Sequence, residues 1–432
     1  MQLTLLKGGQ LVVEGQLLTA DLAIVNERIL GYGADLAPPP EFNQFDTVDV
    51  SGLTILPGLV DVHVHLREPG AEHKEDFLSG TRAALAGCVT TVFGMPNTTP
   101  TITTRTSLDQ AIVLADEKAV CDFGLYVGGT QDNADEAASL SDAVGLKLYI
   151  GSSTGDLLVD QFEAQIAHFM ATPLDRIIAV HAEDEAAVRH YAKQGQRRPP
   201  ICAKLSTAYL LTLAEQTGRH LHICHVTTRD ELTLIRQAKE RGVRVTCEVS
   251  PHHLWLNTQD EQRLGPYGRC NPPLRDEPDR TGLWEHLDGV DLIATDHAPH
   301  TRAEKESGTP PAGIPGLETM LPLLLTAVTE GRMSLADVVS FTATRPAHLF
   351  NLPDKGSIRP NKHADLTLVD LNETWTLSDD GLETRCGWTP FAGMDVTGRV
   401  KQVWLRGQCV YREGSVVAEP GYGQRVQQGQ AG

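Results

Sequence analysis

Residues 144–153 read VGLKLYIGSS. An apolar run bounded by glycines reads as a buried β-strand, yet Lys147 stands inside it between Leu146 and Leu148. A buried, unpaired ammonium is costly enough that such a lysine needs a partner or a chemical task. The same kind of run recurs along the chain. GLVDVHVHL (58–66), CVTTVFGM (88–95), VCDFGLYVGG (120–129) and DRIIAVHAE (175–183) are four more. RHLHICHV (219–226), VRVTCEVS (243–250) and VDLIATDHAP (290–299) complete a set of eight. Between them lie segments such as DFLSGTRAALAG and RDELTLIRQAKERG, whose apolar residues recur at helical spacing. Eight alternating βα units predict an α/β fold of the (β/α)₈ barrel type, over residues 56–355.

Outward from the barrel the pattern changes. Residues 1–55 and 356–432 contain short strand-like runs, among them TLLKGGQLVV, LAIVNERILGYG, ADLTLVDL and VKQVWLRGQCVYREG. Neither end is long enough for a comfortable core of its own, so the two are expected to join in one small β-sandwich domain. The Gly- and Pro-rich stretch TRAEKESGTPPAGIPG, after the last barrel strand, is expected to be a mobile active-site loop. A net charge of −19 argues against nucleic acid or an anionic membrane as partner. The start of the chain lacks the marks of a signal peptide. No apolar run approaches the roughly 18 residues of a membrane span. Eight scattered cysteines without a Cys-x-x-Cys pair fit reduced thiols, so a cytoplasmic protein is expected.

The chemistry-bearing residues fall at the ends of these strands. His63 and His65 are two apart, the spacing that puts strand residues on one face. His181, His225 and Asp296 end three later strands, on the face where barrel enzymes build their sites. One such histidine is ordinary core; four of them with an aspartate and Lys147 are a metal-ligand set. Six ligands exceed one tetrahedral zinc and suit two divalent ions, which need an anionic bridge. A neutral lysine amine can add carbon dioxide to become a carbamate, and Lys147 is read in that role, with Asp156 as the other candidate bridge. Asp296 is read as both ligand and proton carrier. Cys224 should point to the face opposite His225, as core packing, and His220 is read as structural. Arg67 offers a fork for a substrate carboxylate, and Asn97 and His300 lie at the same mouth. Glu248 and His253 are expected to support the ligands from behind.

The motifs GLVDVHVHLREPG, GMPNTTP, GLKLYIG, VHAED, HICHV, CEVSPHHL, NPPLR, ATDHAPH and GIPGLETMLPLLL run in order through residues 57–370. Together they resemble the dihydroorotases of the amidohydrolase superfamily, most closely the form found as a domain of the animal multifunctional pyrimidine enzyme. The resemblance implies two Zn²⁺ ions: His63 and His65 on one, His181 and His225 on the other, N6-carboxylated Lys147 between them and Asp296 as ligand and shuttle. It also implies that Arg67, Asn97 and His300 bind the substrate carboxylate. The backbone at Ala312 and Gly313 would contact the substrate ring, and residues 301–312 would form a loop that closes over it. Where relatives of the animal form carry an arginine near NPPLR, this chain has Asn271. The implied reaction is reversible closure of N-carbamoyl-L-aspartate to L-dihydroorotate. A homodimer and association with a transcarbamoylase are further implications of the resemblance. Two other readings share many of these features. An allantoinase or hydantoinase would keep the barrel and the metals but give Arg67 no carboxylate. A metal-free scaffold homologue would be expected to have lost ligands.

Overall fold

The computed structural model describes residues 2–153 and 155–429. All eight predicted runs are barrel strands: Leu59–Val64, Val89–Gly94, Asp122–Leu125 continuing to Val127–Gly128, Leu146–Tyr149, Ile177–His181, His220–Ile223, Val245–Val249 and Leu292–Ile293. Neighbours pair in parallel, as a three-stranded and a six-stranded stretch that share the third strand. A parallel bridge from Val64 to His297 joins the first strand to the last. Helices cover the outside, and their starts follow local sequence. Asp76 with Ser79, and Thr228 with Glu231, form capping boxes that satisfy the first free N–H groups. Residues of both kinds of element, such as Leu85, Ala115, Val180 and Ile235, share the main apolar core. Among the described residues no helix is long and apolar enough to cross a membrane.

The two chain ends meet as anticipated, in one nine-stranded mixed sheet. Thr54–Pro57 pairs with Leu3–Val13 on one side and with Leu366–Thr376 on the other, which makes it the seam between the ends. Leu22, Ile55, Leu366 and Trp404 share a second core. This sheet is fastened to the barrel by a buried ionic group. Lys355 Nζ donates to Asp122 at 2.6 Å and to Asp365 at 2.8 Å, and Arg406 pairs with the other oxygen of Asp122.

The stretch after the last strand departs from expectation. Instead of a free loop, residues 302–305 form a helical turn capped by Thr301, and Lys305 is fully buried. Its Nζ donates to Arg269 O at 3.1 Å and Pro311 O at 3.0 Å and lies over the Trp388 ring. A lysine spent on two carbonyls ties the stretch down at both ends, a use its polar, Gly-rich composition hides.

Candidate active site

At the C-terminal end of the barrel, His63, His65, His181, His225 and Asp296 line one cavity. Asp296 Oδ1 is 3.3 Å from His63 Nε2 and 3.1 Å from His65 Nε2. His181 Nδ1 and His225 Nε2 face each other at 3.0 Å. Three site residues leave the backbone in the left-handed region: Arg67 at φ 63°, His225 at φ 35° and Asp296 at φ 46°. For residues with a Cβ that conformation carries strain, and it is tolerated where the surroundings over-determine it.

His225 illustrates the consequence. Its strand ends at Ile223, so Cys224 keeps the inward alternation of His222, and the turned backbone brings His225 inward as well. Cys224 therefore does not point away: Lys147 Nζ donates to its sulfur at 3.0 Å. Lys147 is fully buried beneath the cavity, 5.1 Å from the Tyr149 ring centroid, and has no carboxylate ion pair among the described residues. Asp156, the other candidate bridge, is exposed.

Burial and charge sort the protonation states. Burial lowers the His65 imidazole to about 4, and it also lowers His181 and His225, the latter well below its ordinary value. All three are neutral rings with a free lone pair at pH 7. His63 is the exception. Burial and Lys147 would lower it, but Glu248 and Asp296 raise it to about 10. Its Nδ1 rests on the Glu248 carboxylate, whose other oxygen meets His222 Nε2 at 3.0 Å. Burial would raise the Asp296 carboxyl, but His63 and His65 hold it well below the carboxylate range.

The donor set fits metal ions. Imidazole nitrogens and one ionised oxygen converge in a buried space, with ligand atoms of His63, His65 and Asp296 within 4.8 Å of one another. Glu248 beneath His63 has the placement of a carboxylate that orients a ligating imidazole. His253, by contrast, turns its Nε2 to Pro272 O at 3.0 Å, and Cys270 Sγ donates to the same carbonyl at 3.2 Å. It thus buttresses Asn271, a residue of the cavity wall.

At the mouth, Arg67 Nε donates to Pro299 O at 3.1 Å, and its Nη2 lies 3.2 Å from His300 Nε2. Burial lowers its guanidinium only to about 10, so it stays charged. Asn97 Oδ1 lies 2.7 Å from His65 Nδ1. His300 Nε2 lies 3.1 Å from Ala312 O. Gly313 has φ 150°, and a Cβ there would fall 2.4 Å from Ala298 O; only glycine lets the Ala312–Gly313 backbone approach so closely. Sequence reasoning missed Tyr149 and Ser153, which line the cavity, and Glu183, whose Oε2 is 3.1 Å from His181 Nε2. The HAED motif contained that last signal, two residues past the histidine.

A parallel barrel with buried imidazoles and a carboxylate at its C-terminal mouth is the architecture of a metal-assisted hydrolase. The chain belongs to the amidohydrolase family: the model of that family, Amidohydro_1, matches residues 54–410. The family is generally metal-dependent, and this chain's His/Asp groups are placed to hold metal. The chain is 45% identical over 390 residues to the "Multifunctional protein CAD" of Squalus acanthias, covering 90% of this chain and 16% of that protein's length. It is 40% identical to the "Dihydroorotase" of Pyrococcus abyssi, covering 87% of each. The "Dihydroorotase" of Lactobacillus acidophilus is 35% identical, with 95% of this chain and 99% of that protein covered. Among solved structures, the L-hydantoinase (dihydropyrimidinase) from Arthrobacter aurescens superposes with a TM-score of 0.92 at 30% identity, over 98% of this chain and 99% of that one.

Proposed function

We propose that the chain is a dihydroorotase, interconverting N-carbamoyl-L-aspartate and L-dihydroorotate. The observation that carries the reading is the buried, charged Arg67 fork beside His300, at the rim of the His/Asp cluster. A guanidinium in a closed site is costly without an anionic partner, and a ring carboxylate supplies one. Relatives named dihydroorotase at 35–40% identity support the same reading. Hydantoinases share the fold, but a hydantoin with an apolar substituent leaves Arg67 unpaired.

In this reading His63, His65, His181, His225, Asp296 and a carboxylated Lys147 hold two Zn²⁺ ions. When bound, the ions polarise the ring carbonyl and lower the pKa of water. Lys147 is suited to carboxylation because it is buried without an acid partner. Arg67, Asn97 and His300 orient the substrate through its carboxylate, and the Ala312–Gly313 backbone lies against the ring. Asp296, ionised at neutral pH, takes the proton of the attacking water and delivers it to the ring nitrogen as the C–N bond breaks. In reverse it takes that proton from the nitrogen and returns it to a carboxylate oxygen, which with one further proton from solvent leaves as water. The enzyme acts on a small molecule; we further propose a cytoplasmic homodimer able to associate with a transcarbamoylase.

The first test follows loss of L-dihydroorotate in the ultraviolet with zinc-loaded chain, with allantoin and hydantoin in parallel. Turnover of dihydroorotate that disappears in Lys147→Ala is expected. Turnover of hydantoin alone would overturn the substrate assignment. Ring closure turns a dianion into a monoanion and consumes one proton. The equilibrium ratio of cyclic to open compound should therefore rise about tenfold per unit fall in pH above the carboxylate range, the mass-action slope for one proton. A pH-independent ratio would contradict that stoichiometry.

A further inference from the structure

One arginine is joined both to the ligand cluster, through Glu183, and to the pocket rim, through Ser152. Arg198 precedes the helix Pro200–Thr217, and its side chain is 11% exposed. Its Nη1 pairs with Glu183 Oε2, the same oxygen that meets His181 Nε2 at 3.1 Å. Its Nη2 donates to the backbone oxygen of Ser152 and, at 3.1 Å, to the Ser152 hydroxyl. Ser152 N is itself held by Glu185 Oε2 at 2.7 Å, and the next residue, Ser153, lines the cavity.

The arginine is also locked from behind. Its backbone is left-handed, at φ 46°. Its carbonyl accepts from Arg275 Nη1 at 2.6 Å, and Arg275 Nε donates to Thr227 Oγ1 at 3.1 Å, two residues past His225. A strained backbone pinned on both sides indicates a position that the surroundings over-determine. The planar fork of arginine serves two acceptors in different directions; a lysine ammonium of similar reach is a single point.

We infer that Arg198 is a positioning residue that fixes His181, through Glu183, and the rim at Ser152–Ser153 together, so that metal retention and substrate binding depend on one guanidinium. This rests on the reading above, in which His181 is a ligand and the cavity takes the substrate. Carboxylates that orient a ligating imidazole typically matter 10–100-fold in metal affinity. The rim arm acts on the substrate side of the same pocket, where small displacements are amplified.

The test compares full-length, zinc-loaded wild type, Arg198→Lys, Arg198→Met and Glu183→Gln. Metal per chain is measured against a graded chelator, and KM and kcat with L-dihydroorotate. Arg198→Lys, which keeps the charge opposite Glu183, guards against simple misfolding in Arg198→Met, and melting temperature is recorded for each. Arg198→Met is expected to hold metal 10–100-fold more weakly and to raise KM about tenfold. Glu183→Gln should weaken metal retention alone, leaving KM within about twofold, because the Ser152 arm remains. Folded Arg198 variants with wild-type metal retention, or with weaker metal and unchanged KM, would overturn the inference. Metal retention is read without substrate. A wild-type chain that holds metal but ignores dihydroorotate would therefore sink the activity while the metal comparison still decides the Arg198–Glu183 arm.

Discussion

In the proposed reaction Asp296 and Arg67 divide the labour at the site. Asp296 is assigned the proton, so Asp296→Asn should lower kcat by about 10²–10⁴ with dihydroorotate; stopped-time assays on metal-matched protein would read it, and a kcat within tenfold of wild type would remove the shuttle role. Arg67→Gln should instead raise KM while leaving metal content unchanged, because the guanidinium's hydrogen bonds go to Pro299 O and His300 and not to a ligand side chain. Residue identities at strand ends were legible because each polar letter interrupts an apolar run. The direction of Cys224 was not, because period-two counting assumes a regular strand, and the left-handed turn at His225 follows directly. Arg198 was equally hidden: RRPP looks like a solvated linker, and its acceptors are 15 and 46 residues away.

At the scale of elements, all eight barrel strands could be read, since each falls in a short apolar run bounded by Gly, Pro or charged residues. The stretch 301–313 could not, because what fixes it is Lys305 reaching carbonyls of Arg269 and Pro311. A neighbouring link carries a pH signature. Glu318 accepts from the backbone N–H groups of Glu383 and Thr384, both at 3.0 Å, and so joins the segment after the loop to the C-terminal portion. Burial raises its carboxyl from 4.5 to about 8, against those two hydrogen bonds. A raised acid favours the fold while protonated, so its contribution is full below about 4.5 and is lost as pH climbs through about 8. The stability of Glu318→Gln relative to wild type should therefore improve between about pH 5 and 8, by up to about 1.4 kcal/mol per pH unit in that window, and level off above it. Denaturant titrations at several pH values read this, and a flat difference would contradict it.

For the whole molecule, the joining of chain ends followed from their shortness, but the seam at Thr54–Pro57 did not, because strand order is a tertiary choice. Nor did the ionic fastening of sheet to barrel, whose members Asp122, Lys355, Asp365 and Arg406 are spread along the chain. Lys355→Met would strip a cation from two buried carboxylates and is expected to cost about 3–5 kcal/mol in urea unfolding. A loss below 1 kcal/mol would mean Arg406 alone neutralises the pair.

The last described residues run beneath the barrel. Arg425 bridges to Phe123 at the start of the third strand, and Gln428 Nε2 donates to Val144 O and Phe350 O. This is the end of the barrel remote from the cavity. A chain anchored to a bead or electrode through residue 429 would therefore present its open mouth to the bulk liquid. Grafting through an engineered thiol near Arg67 would do the reverse, and the two orientations should differ in how freely substrate reaches an immobilised layer.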